Sequence, residues 1–81
     1  MAPSPTTNKA DARLLDLRGL RCPWPALRVA RALREDEAPL LAMIDDPVAE
    51  KEIAIIAAER GWRMNYAESL IGPGFLLLPG L

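Results

Sequence analysis

With 81 residues the chain has room for one small domain, a layer of helices on one sheet, which buries only about 60% of its unfolded surface. A hydrophobic fraction of 51% beside 26% charged residues excludes a disordered chain, and no apolar run nears the roughly 18 residues of a membrane span. The net charge of -1 excludes a strongly basic nucleic-acid binder, while one cysteine and no histidine exclude an intrachain disulfide and leave too few ligands for zinc.

Residues 1–12 are proline, serine, threonine and lysine with almost nothing apolar, so they read as a disordered tail ahead of a domain over residues 13–81. Arg13 to Leu17 has the length of a short strand, closed by a turn at Gly19. From Pro23 to about Arg34, Ala26, Val29, Ala30 and Leu33 recur at i, i+3, i+4 and i+7, the spacing of one buried helix face, with Arg28, Arg31 and Glu35 opposite. Pro23 and Pro25 suit the first turn of that helix, where a missing N–H costs little. With Pro23 at the first helical position, Cys22 is the N-cap. Trp24 precedes a proline and is biased away from the α region, which moves the proper start toward Pro25. Its indole packs on the sheet edge in the favoured reading, or stands exposed beside Cys22 as a docking contact.

Glu35-Asp36-Glu37-Ala38-Pro39 is a polar stop, and Leu40 to Ile44 is a continuous apolar run suited to a buried strand. Strand, helix and strand within about thirty residues predict a right-handed crossover between parallel strands. Asp46 then reads as an N-cap with Pro47 as first helical residue, Ala49, Ile53, Ile56 and Ala57 as the buried face, Ile55 on the polar side, and Gly61 past the end, with Arg60 near the negative pole. Trp62 to Ala67 alternates apolar with polar, as a strand with one wet face does. Ile71-Gly72-Pro73-Gly74 breaks the chain, and Phe75 to Leu78 is a last strand able to close a hairpin. The order β-α-β-α-β-β predicts an α/β two-layer sandwich, a four-stranded mixed sheet with two helices on one face.

The chemistry falls on Cys22. A lone cysteine is ordinarily a small buried hydrophobe. Here two flanking prolines, a Gly19 turn and the arginines Arg18, Arg21 and Arg28 describe a reactive helix mouth, where unsatisfied amides, the helix dipole and fixed positive charge favour thiolate over thiol. The expected thiol pKa therefore lies below its usual value. Five arginines and no acid lie between Leu17 and Arg34, whereas Glu35 to Glu59 carries eight acids against Lys51. Such a run is often only a solvated face; beside Cys22 it would also steer an acidic partner, with Trp24, Arg28 and Arg31 as docking residues.

The order Asp16-Leu17-Arg18-Gly19-Leu20-Arg21-Cys22-Pro23-Trp24-Pro25 at a strand-to-helix junction, followed by Asp45-Asp46-Pro47, resembles the TusA/SirA-like family of small sulfur carriers, whose hallmark is Cys-Pro-x-Pro. The resemblance runs from about Leu14 to about Leu78. It implies the same fold and a sulfurtransferase-type carrier in which Cys22 accepts sulfur as a persulfide, with Pro23 and Pro25 as the family's prolines. The implied donor is a cysteine desulfurase or rhodanese-like protein. The implied acceptors belong to sulfur relays such as tRNA thiolation, molybdenum-cofactor assembly or sulfur oxidation. The chain departs from the family twice: Glu52-Ile53-Ala54 replaces an Asp-Ile-Pro segment, keeping the acid and dropping the proline, and the last strand, Phe75 to Leu78, lacks a basic residue near its end.

Persulfide chemistry is also what elimination leaves. Asp45-Asp46 before Pro47 is a helix cap rather than an acid/base dyad, Gly72-Pro73-Gly74 lacks phosphate-loop spacing, and no histidine can activate a hydrolytic cysteine. No cofactor, metal, membrane or direct nucleic-acid partner is expected, and the chain reads as a monomer. With one cysteine and no charged-then-apolar leader, the expected compartment is the cytoplasm. The alternative is a non-catalytic regulatory or interaction module of the same fold, in which Cys22 is idle.

Overall fold

The computed structural model describes residues 12–80, so the tail expected over residues 1–12 lies outside the described residues but for Ala12. Four strands and two helices alternate as β1 (Arg13–Asp16), α1 (Trp24–Glu35), β2 (Leu40–Met43), α2 (Pro47–Glu59), β3 (Arg63–Ser69) and β4 (Gly72–Leu78). They form one mixed sheet in the order β1-β2-β4-β3. The first crossover makes β1 and β2 parallel, with Leu15 opposite Ala42, and β3 and β4 form the antiparallel hairpin that the two apolar runs predicted. The α/β two-layer architecture is as expected.

Alternation along the strands divides the apolar residues. Leu40, Ala42 and Leu77 pack with Ala26, Val29 and Leu33 of α1 and Ala49, Ile53 and Ala57 of α2. These are the faces that the helical spacing picked out, except that Ala30 and Ile56 are only half-buried. Leu41, Met43 and Ala67 point the other way and form a smaller cluster with Leu76. The inner strand β2 is thus buried along its whole length, which its unbroken apolar run anticipated.

Two boundaries differ from expectation. The helix α1 starts at Trp24 with Pro23 as its N-cap, and the Pro23 carbonyl accepts the Leu27 amide at 3.1 Å. Cys22 therefore lies one residue outside the helix and is not its cap. The last strand begins at Gly72 instead of Phe75, because the turn is only the Leu70-Ile71 pair between the partners Ser69 and Gly72. Pro73 is tolerated there since β2 pairs with β4 only as far as Phe75, so its missing N–H deprives β2 of no bond. Gly74 allows β4 to lie close on β2: a Cβ there would come within 2.8 Å of both the Ala42 carbonyl oxygen and Met43 Sδ.

Arg13 ties the edge strand to the end of α1. Its guanidinium donates to the carbonyls of Ala32 (3.1 Å), Asp36 (3.1 Å) and Ala38 (2.6 Å), so it satisfies the open carbonyl of the C-cap Asp36 and holds the chain that leaves the helix.

Candidate functional site around Cys22

The parallel β1–β2 pair sends both of its following loops to the same end of the sheet. After β1, the Leu17 amide still donates to the Met43 carbonyl at 2.8 Å, and the chain then turns through Gly19, whose φ of 87° suits a residue without a Cβ. The Gly19 amide donates to both carboxylate oxygens of Asp45, at 3.1 and 3.0 Å. The Cys22 amide donates to Asp46 Oδ2 at 3.4 Å, while Asp46 Oδ1 accepts the Val48 amide at 3.0 Å and so caps α2. One carboxylate thus serves two ends, holding the cysteine loop with one oxygen and the helix with the other. The Asp45-Asp46-Pro47 stretch is a cap, as predicted, and also the buttress of the loop.

Cys22 is an exposed free thiol. Its Sγ donates to Glu52 Oε1 at 2.9 Å, from the second turn of α2. This overturns the expected direction of ionisation. The hydrogen bond to the Glu52 carboxylate pushes the thiol up from its usual value, with desolvation and the negative charges of Glu52 and Asp46 acting the same way. The helix mouth that was to favour the anion has no side-chain cap, and its N-cap is Pro23.

The supporting residues divide unevenly. Arg18 is spent on Asp16, with Nε and Nη2 donating to the two carboxylate oxygens at 2.9 and 2.7 Å, and its Nη1 reaches the Ile71 carbonyl at 3.1 Å. That pair holds the Asp16 carboxyl down at about 2. Arg18 is therefore a brace between the end of β1 and the β3–β4 turn, while Glu52 on α2 and Asp46 at its N-cap oppose ionisation of the thiol. Arg21 is exposed beside Cys22, and Pro25 is buried in the first turn of α1.

Trp24 stands 59% exposed, which departs from the favoured reading of its indole as packed on the sheet edge. With Leu15, Leu27, Arg28, Arg31, Ala32 and Glu35 it lines an open groove of about 460 Å³ between α1 and the edge strand β1. Within it Arg31 Nε donates to Glu35 at 3.1 Å. The topology also gathers exposed apolar residues that composition alone did not single out: Val48 in the first turn of α2, and Leu70 and Ile71 at the hairpin turn, which Arg18 ties to the cysteine end.

Glu52 is the residue of the site that sequence reasoning recognised but did not place. Its carboxyl group kept the chemistry of the acid in the family's Asp-Ile-Pro segment; what the sequence did not disclose was the α2 geometry that aims it at a sulfur 30 residues earlier.

A protein-family model described as sulfurtransferase TusA matches residues 13–75, a span that holds both loops of the site and most of the sheet. The chain belongs to the TusA sulfurtransferase family. Among solved structures, the crystal structure of the SirA-like protein from Desulfitobacterium hafniense superposes with a TM-score of 0.68 at 22% sequence identity, covering 84% of this chain and 97% of that one. It supports the fold. As in the family, the domain is a small α/β unit, and no helix among the described residues is long and apolar enough to cross a membrane.

Proposed function

We propose that this protein carries sulfur as a persulfide on Cys22, taking it from a donor protein and passing it to an acceptor protein in a sulfur relay such as tRNA thiolation, molybdenum-cofactor assembly or sulfur oxidation. The observation that carries the reading is an exposed free thiol, the only cysteine of the chain, held on a buttressed loop inside the span that matches a sulfurtransferase family. The loading step is thiol exchange with one additional sulfur. The Cys22 proton is lost to a base, Sγ attacks the outer sulfur of the donor's persulfide, the donor S–S bond breaks, and the donor thiolate leaves and takes up a proton. A thiol and a hydropersulfide become a hydropersulfide and a thiol, so no external oxidant, reductant or metal enters. A single accessible cysteine suits this role, because a second thiol nearby would discharge the persulfide as a disulfide.

Donor and acceptor would dock at the cysteine end, where Arg21 and Trp24 lie on the α1 side, Arg28 and Arg31 continue along the groove that Trp24 opens, and Val48, Leu70 and Ile71 add apolar contact area. A cysteine desulfurase or a rhodanese-like protein supplies the required donor chemistry. One observation favours the alternative, a non-catalytic interaction module: the hydrogen bond to Glu52 holds the thiol in its unreactive form.

Mass spectrometry separates the two. Incubation with a desulfurase and free cysteine, or with a rhodanese and thiosulfate, is expected to add one sulfur, about 32 Da, to the wild type, to be reversed by dithiothreitol, and to leave Cys22→Ser unmodified. A thiol that stays alkylatable yet accepts sulfur from neither donor would give the site to the interaction module.

A further inference from the structure

The surroundings of Cys22 are those of a nucleophile held back. Its Sγ donates to Glu52 Oε1 at 2.9 Å, and its amide donates to Asp46, whose other oxygen is fixed by the Val48 amide. Asp45 is bound to the Gly19 amide on the same loop. Arg18, one of the three arginines expected to favour the thiolate, is committed to Asp16 and the Ile71 carbonyl. Arg21 is exposed next to the cysteine in sequence, and Arg28 lines the groove on α1. A carboxylate in hydrogen-bond contact stabilises S–H and repels S⁻, so both of its effects oppose ionisation.

We infer that Glu52 is a positioning residue that keeps Cys22 a protonated, idle nucleophile in the free protein, and that a cationic side chain brought by a partner against this carboxylate releases it. The inference deepens the carrier reading and rests on it for its purpose. A carrier whose thiol reacted freely would be loaded by any polysulfide or oxidised by any peroxide it met, since both reactions follow thiolate fraction and access. Restraint by a carboxylate confines loading to partners that neutralise it. The site thereby selects a donor with a lysine or arginine beside its persulfide.

The test reads the thiol directly and needs no donor. The rate of alkylation by iodoacetamide is followed against pH for the wild type, Glu52→Gln and Glu52→Lys. Glutamine keeps the hydrogen-bond acceptor and removes the charge; lysine places in cis the cation that a partner would bring. Both are good helix formers, and Glu52 is half-buried outside the apolar core, so α2 is retained. Asp46 is unsuitable for this purpose because it also caps α2.

The expected order of midpoints is wild type highest, Gln lower and Lys lowest. A fall of about one unit raises the thiolate fraction about tenfold below the midpoint. Because nucleophilicity falls with basicity, the net gain in alkylation rate at neutral pH is about threefold. Loading by inorganic polysulfide is expected to accelerate in the same order. A Glu52→Gln midpoint equal to or above that of the wild type overturns the inference, and equal midpoints for Gln and Lys overturn its electrostatic basis. Failure of both protein donors to load wild-type Cys22, with the ordered midpoints present, would sink the carrier reading and leave the restraint standing.

Discussion

Asp16 and Arg18 show how a residue singled out for one purpose serves another. Arg18 was expected to lend its charge to the thiol; its guanidinium instead forms a two-pronged pair with Asp16 and reaches across to Ile71. The folded-state pKa of Asp16 is lowered from 3.8 to about 2, so the pair contributes stability that is fully present above the ordinary carboxylate range. That contribution is lost as pH falls through the window from 3.8 to about 2. Both side chains are nearly half exposed, so the effect on stability is small and the titration itself is the sensitive readout. Carbon-detected NMR of the Asp16 carboxyl is expected to give a midpoint near the bottom of the carboxylate range in the wild type and a normal one in Arg18→Ala. An unshifted wild-type midpoint would show that the pair does not persist in solution. The same lesson applies to Cys22. The local sequence put Cys22 at a helix mouth among arginines, but ionisation is decided by contacts, and the deciding carboxylate belongs to a helix on the far side of the crossover.

At the scale of elements, the sequence was most legible where local chemistry decides. Asp46-Pro47 announced the start of α2 and Gly61, at φ 76°, its end, because capping is read from adjacent residues. Less legible were the places where a strand neighbour decides. Gly72-Pro73-Gly74 looked like a break, yet it is the first part of β4, since β3 on one side holds it in register and β2 on the other requires a residue without a Cβ at Gly74. Pro23 looked like the first helical residue and is the cap instead. Two substitutions test these assignments by urea denaturation. Gly74→Ala is expected to cost about 1–3 kcal/mol, because the Ala42 carbonyl that its Cβ would meet is backbone of the inner strand β2 and cannot swing aside as the Met43 side chain can. Asp46→Ala is expected to cost about 1 kcal/mol for the lost cap. It should also loosen the cysteine loop, seen as faster hydrogen exchange at the Cys22 amide, since that amide loses its acceptor. A Gly74→Ala protein as stable as the wild type would show that β4 can shift away from β2.

For the molecule as a whole, the division of charge between the two helices became more informative once it was placed in space. Arg28 and Arg31 of α1 line the groove that Trp24 opens near the cysteine, and Glu52 of α2 lies against the thiol, so a partner approaching Cys22 meets a dipolar surface that can orient it. The arginines of α1 are not equivalent. Arg31 is partly neutralised by Glu35 one turn away, at 3.1 Å, whereas Arg28 forms no ion pair among the described residues. Charge reversal is therefore expected to be graded: Arg28→Glu should slow association with a loaded donor by about tenfold at low salt, and Arg31→Glu by less, since Arg31 lies about a turn further from Cys22 along α1. Raising the ionic strength from about 0.01 M to 0.15 M shortens the screening length from about 30 to 8 Å and should bring wild type and variants together. Stopped-flow measurement of donor association at the two salt concentrations checks both points. Rates that ignore salt and both reversals would assign docking to the apolar residues Trp24, Val48, Leu70 and Ile71 alone, and Trp24→Ala would then carry the larger loss.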